Sequence, residues 1–173
     1  MTYADPVEEQ FVSGVYYDRA GSSYYLSREK LESDYAPVRF ERELRLFLKY
    51  AQNGSVLDVG CSSGAFLFQL KQRFPNAFRL LGMDASGPPL DYAESRGIPV
   101  CRGDFLEHDF GEASFDAVTF WAVLEHLPDP KSFLAKAISI LKPGGYALVL
   151  VPNMSSLAVR ILQSRHSRLR GDA

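Results

Sequence analysis

The stretch "VLDVGCSSGAFLFQL", residues 56–70, sets one acid, two glycines and a Cys-Ser-Ser run between two apolar blocks. Asp58 can accept hydrogen bonds, Gly60 and Gly64 let the backbone approach a ligand closely, and a helix starting near Ser63 presents unpaired N–H groups. Such a loop suits a polar ligand. A diphosphate is the first chemistry to consider, because helix N-termini favour anions. Yet the loop carries neither the Gly-x-Gly-x-x-Gly of dinucleotide cradles nor the Gly-x-x-x-x-Gly-Lys-Ser/Thr of a P-loop. A second acid, Asp84 in "LLGMDAS", follows the glycines by about twenty residues, where an α/β nucleotide site places a carboxylate against ribose hydroxyls. It would accept from both hydroxyls of an unphosphorylated ribose and repel a 2′-phosphate. Asp is also a good helix N-cap, which is the alternative for this position. His126 in "LEHLP" is the candidate general base, since histidine titrates near neutrality. Its neighbours Leu124, Leu127 and Pro128 suit a packed or helix-capping histidine equally well. Glu125 is a weaker candidate for the same role, and His108 and His166 read as solvated.

Five segments must position these residues. "SVLDVG" (55–60), "RLLGMD" (79–84), "IPVCRGD" (98–104), "FDAVTFWAV" (115–123) and "GYALVLVPN" (145–153) each hold a short apolar core and read as strands. Between them "GAFLFQLKQRF" and "DPKSFLAKAISILKP" read as amphipathic helices, "PPLDYAESRG" as a shorter one and "GDFLEHDFGEAS" as loop. Apolar strands alternating with helices imply a parallel sheet covered on both faces. The fold class is therefore α/β, a doubly wound parallel sheet. Its ligand is expected outside the strand carboxyl ends, where the opening stretch lies.

Composition narrows the partners. A chain of 173 residues, 46% hydrophobic, can bury one sizeable core, and a formal net charge of -2 gives no electrostatic reason to expect nucleic acid or an anionic membrane surface. Cys61 and Cys101 are the only cysteines and lack metal-ligand spacing, so no metal site and no disulfide framework is expected, and a reducing cytoplasm fits. No secretory leader and no membrane span is legible.

Asp58-x-Gly60-x-x-x-Gly64 resembles the first motif of the Rossmann-like, class I S-adenosylmethionine-dependent methyltransferases, which reads Asp/Glu-x-Gly-x-Gly-x-Gly; Ser62 stands here in place of the middle glycine. "FDAVTFWAVLEHLPDPKSFLAKAISILKPGG" is similar to the fourth strand, loop and following helix of its small-molecule branch, so that the resemblance covers about residues 54 to 152. It implies S-adenosylmethionine as cofactor, S-adenosylhomocysteine as product, and in-line methyl transfer to a small-molecule O, N or C nucleophile without a metal. It further implies that Asp58, Gly60, Cys61, Ser62 and Gly64 form the cofactor loop, with Asp84 and neighbouring Ala85 at the ribose. In "CRGDFLE" it puts Asp104 beside the adenine amino group and Phe105 next to the base, while Asp104 also suits a turn. Trp121 and Ala122 would line the pocket, with His126 as catalytic base. Ser62 is expected at an ordinary negative φ, because a serine is seldom kept at positive φ.

Three regions follow: residues 1–53, an aromatic-rich lid and helix; 54–152, the cofactor-binding core; and 153–173, a helix or tail. Seven of the nine tyrosines fall before residue 54. Tyr16, Tyr17, Tyr24 and Tyr25 are the lid candidates, core filling being the alternative, and residues 27–50 read as a helix. In the resembling family the chain continues beyond the fifth strand into a closing pair of strands. This chain is therefore expected to be a fragment, with "YALVLV" (146–151) as an edge strand open to self-association. Among other functions, a nicotinamide oxidoreductase lacks its glycine loop here. A module that binds S-adenosylmethionine or S-adenosylhomocysteine without transfer stays open.

Overall fold

The computed structural model describes residues 24–85 and 87–153. Five strands, β1 (Gly54–Val59), β2 (Phe78–Asp84), β3 (Val100–Arg102), β4 (Phe115–Trp121) and β5 (Leu141–Leu150), form one sheet in the order β3-β2-β1-β4-β5. All four pairings are parallel, so the chain reverses its direction of travel across the sheet between β1 and β4. That switch leaves a crevice at the carboxyl ends of the two central strands. Asp58 sits in its floor, in register with Gly82 on one side and Thr119 on the other.

Helices cover both faces. α3 (Ala65–Arg73) and α4 (Gly87–Ser95) follow β1 and β2, and α5 (Pro130–Ile140) follows β4. Successive residues of β1 point to opposite sides: Val56 joins a core with Phe47, Phe66 and Leu67, while Leu57 and Val59 join another with Phe120, Ala137 and Ile140. The doubly wound arrangement expected from the alternating apolar segments is present. β3 is shorter than expected because Pro99 precedes it and Gly103, at φ 123°, ends it.

Two expectations need correction. Residues 27–50 are not one helix but two short ones, α1 (Arg28–Asp34) and α2 (Glu41–Phe47). Ser27 caps the first by accepting the Lys30 N–H, and Pro37 interrupts the pattern, since the residue before a proline is turned away from helical geometry. The apolar spacing persists across the break, with Phe40, Leu44 and Phe47 all buried. The second concerns the end of the helix expected in "DPKSFLAKAISILKP". α5 ends at Ile140, before Pro143, and Leu141 already pairs with Phe115. The next pair is Ala117 with Tyr146, so residues 142–145 bulge out of the ladder, with Gly144 at φ 80°.

β5 is outermost, as expected, and Tyr146, Val149, Leu150 and Val151 are exposed. Leu148 is different. At 6% exposure it packs in the core that contains Phe47 and Phe66, so an edge mutation there would damage the fold itself. Of the lid candidates, Tyr16 and Tyr17 lie outside the described residues; Tyr24 is exposed and meets Tyr25 edge-on at 5.1 Å.

Candidate functional site

β1 delivers the glycine loop to the crevice, and backbone hydrogen bonds fasten it there. The N–H groups of Gly60 and Cys61 both donate to the Met83 carbonyl, at 2.7 and 3.1 Å, and Gly103 N–H donates to the Asp84 carbonyl at 3.1 Å. The carboxyl ends of β1, β2 and β3 thus form one connected rim. Gly60 has φ 72°, and a Cβ there would lie 2.5 Å from Cγ2 of Val123, so its missing side chain lets the segment after β4 close onto the loop.

Ser62 overturns the expected negative φ. It stands at φ 51°, and its N–H donates to Asp84 Oδ2 at 2.8 Å. The loop needs the left-handed turn in order to point this N–H at the end of β2, and serine bears the strain that glycine would avoid. Ser62→Gly is therefore expected to raise stability by about 0.5–1 kcal/mol, the relief of strain exceeding the added freedom of the unfolded chain. Thermal unfolding checks this; a lower midpoint would mean that the serine is unstrained.

Asp58 and Thr119 form the floor. The Thr119 hydroxyl donates to Asp58 Oδ1 at 2.6 Å, with Thr119 fully buried and Asp58 2% exposed. Burial pushes the Asp58 carboxyl up to about 7, and the charge of Asp84 acts in the same direction against the Thr119 hydrogen bond. Burial likewise raises the Cys61 thiol, helped by Asp58 and Asp84. Cys61 is a packing residue. Its Sγ occupies the space that a side chain on Gly82 would need, 2.6 Å from the position of such a Cβ.

The remaining rim residues divide. Asp104 is exposed and accepts the Leu106 N–H at 2.7 Å, the turn role that its sequence also allowed, and Ala85 is exposed beside Asp84. Phe105 is 3% exposed, and its ring packs in the core against Phe120 and Phe133. Trp121, half-buried, stacks at a tilt 5.0 Å from Phe66. Ala122 is a second non-glycine residue at positive φ, 57°, and its N–H donates to the Leu150 carbonyl at 2.9 Å. A 3-10 turn, Leu124–His126, follows, with His126 exposed. Two buried side-chain atoms in this segment, Trp121 Nε1 and Glu125 Oε2, have no hydrogen-bond partner among the described residues. A buried donor and a buried acceptor left open at the mouth of β4 suit a site that a ligand completes.

Sequence reasoning missed Tyr35. Its hydroxyl donates to the Ser63 carbonyl at 2.5 Å, its ring meets Phe68 and Tyr92, and Gln69 holds its backbone carbonyl at 2.9 Å. Burial raises its phenol well above the usual range. Tyr35 thus ties the segment before β1 to the glycine loop. Its position in the break between α1 and α2 was hidden while residues 27–50 read as one helix.

Among the described residues no helix is long and apolar enough to cross a membrane. The chain is 37% identical over 113 residues to a trans-aconitate 2-methyltransferase of Deinococcus radiodurans, a match covering 64% of this chain and 43% of that protein. It is 31% identical over 140 residues to a ubiquinone biosynthesis O-methyltransferase of Proteus mirabilis, covering 74% of this chain and 56% of that one. The chain thus spans about half the length of these curated relatives. A crystal structure of a SAM-dependent methyltransferase from Thermotoga maritima superposes with a TM-score of 0.66 at 23% identity, over 88% of this chain and 68% of that one, a likeness of fold. The family model described as a methyltransferase domain matches residues 29–172, from α1 through all five strands, and the protein belongs to that methyltransferase domain family.

Proposed function

We propose that this chain is the cofactor-binding core of an S-adenosylmethionine-dependent methyltransferase acting on an O, N or C nucleophile of a small molecule. The observation that carries the reading is the glycine loop at the carboxyl end of β1, fastened to Asp84 of β2 beside the crevice between β1 and β4, and the open polar atoms of Trp121 and Glu125 at and after the end of β4 support it. Asp84, held by the Ser62 N–H, would take the ribose hydroxyls, and Asp104 the adenine amino group. Asp58, Gly60, Cys61, Ser62, Gly64, Ala85, Trp121 and Ala122 would surround the rest of the cofactor. Phe105, whose ring is anchored in the core, would lie next to the base.

When bound, the cofactor supplies a methyl group on an electrophilic sulfonium. The chain's own share is to hold two reactants in line and to exclude water, which lowers the entropic part of the barrier. His126, exposed in the turn at the same end of the sheet, is the proposed base and would receive the acceptor's proton at its ring. Titration of the folded chain with S-adenosylmethionine tests the cofactor. Saturable one-site binding is expected, and a folded chain that binds neither S-adenosylmethionine nor S-adenosylhomocysteine would overturn the reading. Labelled-methyl transfer to a panel of small acids, phenols and amines then separates an enzyme from a module that only binds.

A cytoplasmic setting is proposed with it, consistent with two free thiols. Self-association through β5 is the further expectation, supported by the outermost position of that strand and by its exposed Val149 and Leu150. In light scattering, Val149→Lys and Leu150→Lys should reduce a concentration-dependent rise in mass. A strictly monomeric wild type would remove edge pairing.

A further inference from the structure

One carboxyl group at the centre of the sheet is enclosed by three strands. Asp58 on β1 faces Thr119 across the β1–β4 ladder and the side-chain-free Gly82 across the β1–β2 ladder. From β2, Asp84 adds a negative charge, and from the glycine loop the Cys61 thiol lies within its field. No lysine or arginine among the described residues offsets Asp58. Among the described residues, the hydrogen bond to its side chain comes from the Thr119 hydroxyl, 2.6 Å from Oδ1, and the same hydroxyl oxygen lies 3.5 Å from the Leu57 carbonyl. That pairing gives the hydroxyl two settings. It donates to Asp58 when the carboxyl is ionised, and it can accept from Asp58 and turn its own proton to Leu57 when the carboxyl is protonated.

We propose that Thr119 is a positioning residue whose hydroxyl holds Asp58 ready to ionise against a cationic ligand, so that this chain distinguishes the sulfonium cofactor from its neutral thioether product. The inference rests on the cofactor reading above. S-adenosylmethionine carries one more positive charge than S-adenosylhomocysteine. On binding the sulfonium, Asp58 gives its proton to solvent and becomes the carboxylate that offsets the added charge; no bond of the ligand changes. The thioether brings no such charge, and the proton stays. Burial, which raises Asp58 to about 7, puts this exchange near neutral pH, with Asp84 reinforcing it and Thr119 opposing it. Reciprocity follows: the ligand that draws the proton off is held more tightly as pH rises.

Calorimetry at pH 7 in two buffers of different ionisation enthalpy measures the protons released on binding. More are expected with S-adenosylmethionine than with S-adenosylhomocysteine. In Thr119→Val the donor is gone, ionisation moves to higher pH, and S-adenosylmethionine should weaken by about tenfold at pH 7 and recover by about pH 9, while S-adenosylhomocysteine stays within about twofold. Thr119→Ser, which restores the hydroxyl, should return the wild-type profile. A carboxyl-carbon NMR titration of Asp58 without ligand should place its midpoint higher in Thr119→Val than in wild type. Equal proton release for both ligands would overturn the proposal even if Thr119→Val does not fold. So would equal weakening of both ligands at every pH, which is what mere support of the fold gives. Failure of wild type to bind either ligand would overturn the cofactor reading as well, whereas binding with an unmoved Asp58 midpoint would overturn only the role of Thr119.

Discussion

Asp84→Ala is expected to weaken S-adenosylmethionine by about ten- to a hundredfold, about 1.5–3 kcal/mol, with the fold retained. Two losses add. The ribose hydroxyls lose a charged acceptor, and the Ser62 N–H loses the carboxylate oxygen that holds it at 2.8 Å. Ser62 sits at φ 51°, a conformation that costs energy unless something fixes it, so without Asp84 the loop is free to relax out of its binding shape. Asp84→Asn separates the two contributions. Its amide oxygen can still accept from Ser62, but it has no charge to offer the ribose, so it should fall between wild type and alanine. The side chain is half-buried at the end of β2 and outside both cores, which is why stability should change little. Calorimetric affinity of the alanine variant within twofold of wild type would remove Asp84 from the site.

The sheet was legible in the sequence because each strand is a short apolar run bounded by glycine, proline or acid, and alternation with helices leaves few topologies. The glycine loop and Asp84 were legible because their chemistry lies in local spacing. What escaped depends on contacts between distant residues or on backbone angles. Thr119 reads as one more β-branched strand residue in "AVTFW", and only the register of β4 against β1, 61 residues apart, brings its hydroxyl to Asp58. Tyr35 reaches Ser63 across 28 residues from a helix break that apolar periodicity ran straight through. Ser62 shows the other limit. A rule that serine avoids positive φ is sound on average, but it fails where the surrounding bonds fix the turn, as Asp84 and the Met83 carbonyl do here. The packing of Phe105 against Phe120 is likewise a contact between separate elements that no local spacing shows.

Asp58 carries the tension between stability and binding, and its replacement should have a large effect on both. Its carboxyl is raised from 3.8 to about 7 by burial first. Between about pH 4 and pH 7 the folded chain therefore keeps a proton that the unfolded chain has released, and stability falls as pH rises through that window. Above it the folded state bears the full cost of a buried anion. The complete linkage of such a displacement is about 4 kcal/mol, and because an amide keeps only part of the Thr119 hydrogen bond, Asp58→Asn should gain about 2 kcal/mol at pH 8. As pH falls the gain should shrink and then reverse, because below 3.8 wild type is protonated on both sides of the equilibrium and the amide's weaker bond to Thr119 is then uncompensated. Urea unfolding of both proteins at pH 4.5, 6 and 8 reads this directly. A gap that does not change with pH would mean that Asp58 is not the titrating group, and a more stable wild type at pH 8 would mean that its ionisation is favoured by the fold. The same variant cannot form the anion that a sulfonium draws out, so its affinity for S-adenosylmethionine should fall while its affinity for S-adenosylhomocysteine holds. A stabilised protein that no longer distinguishes the two ligands is the outcome expected of an acid retained for binding at the expense of the fold.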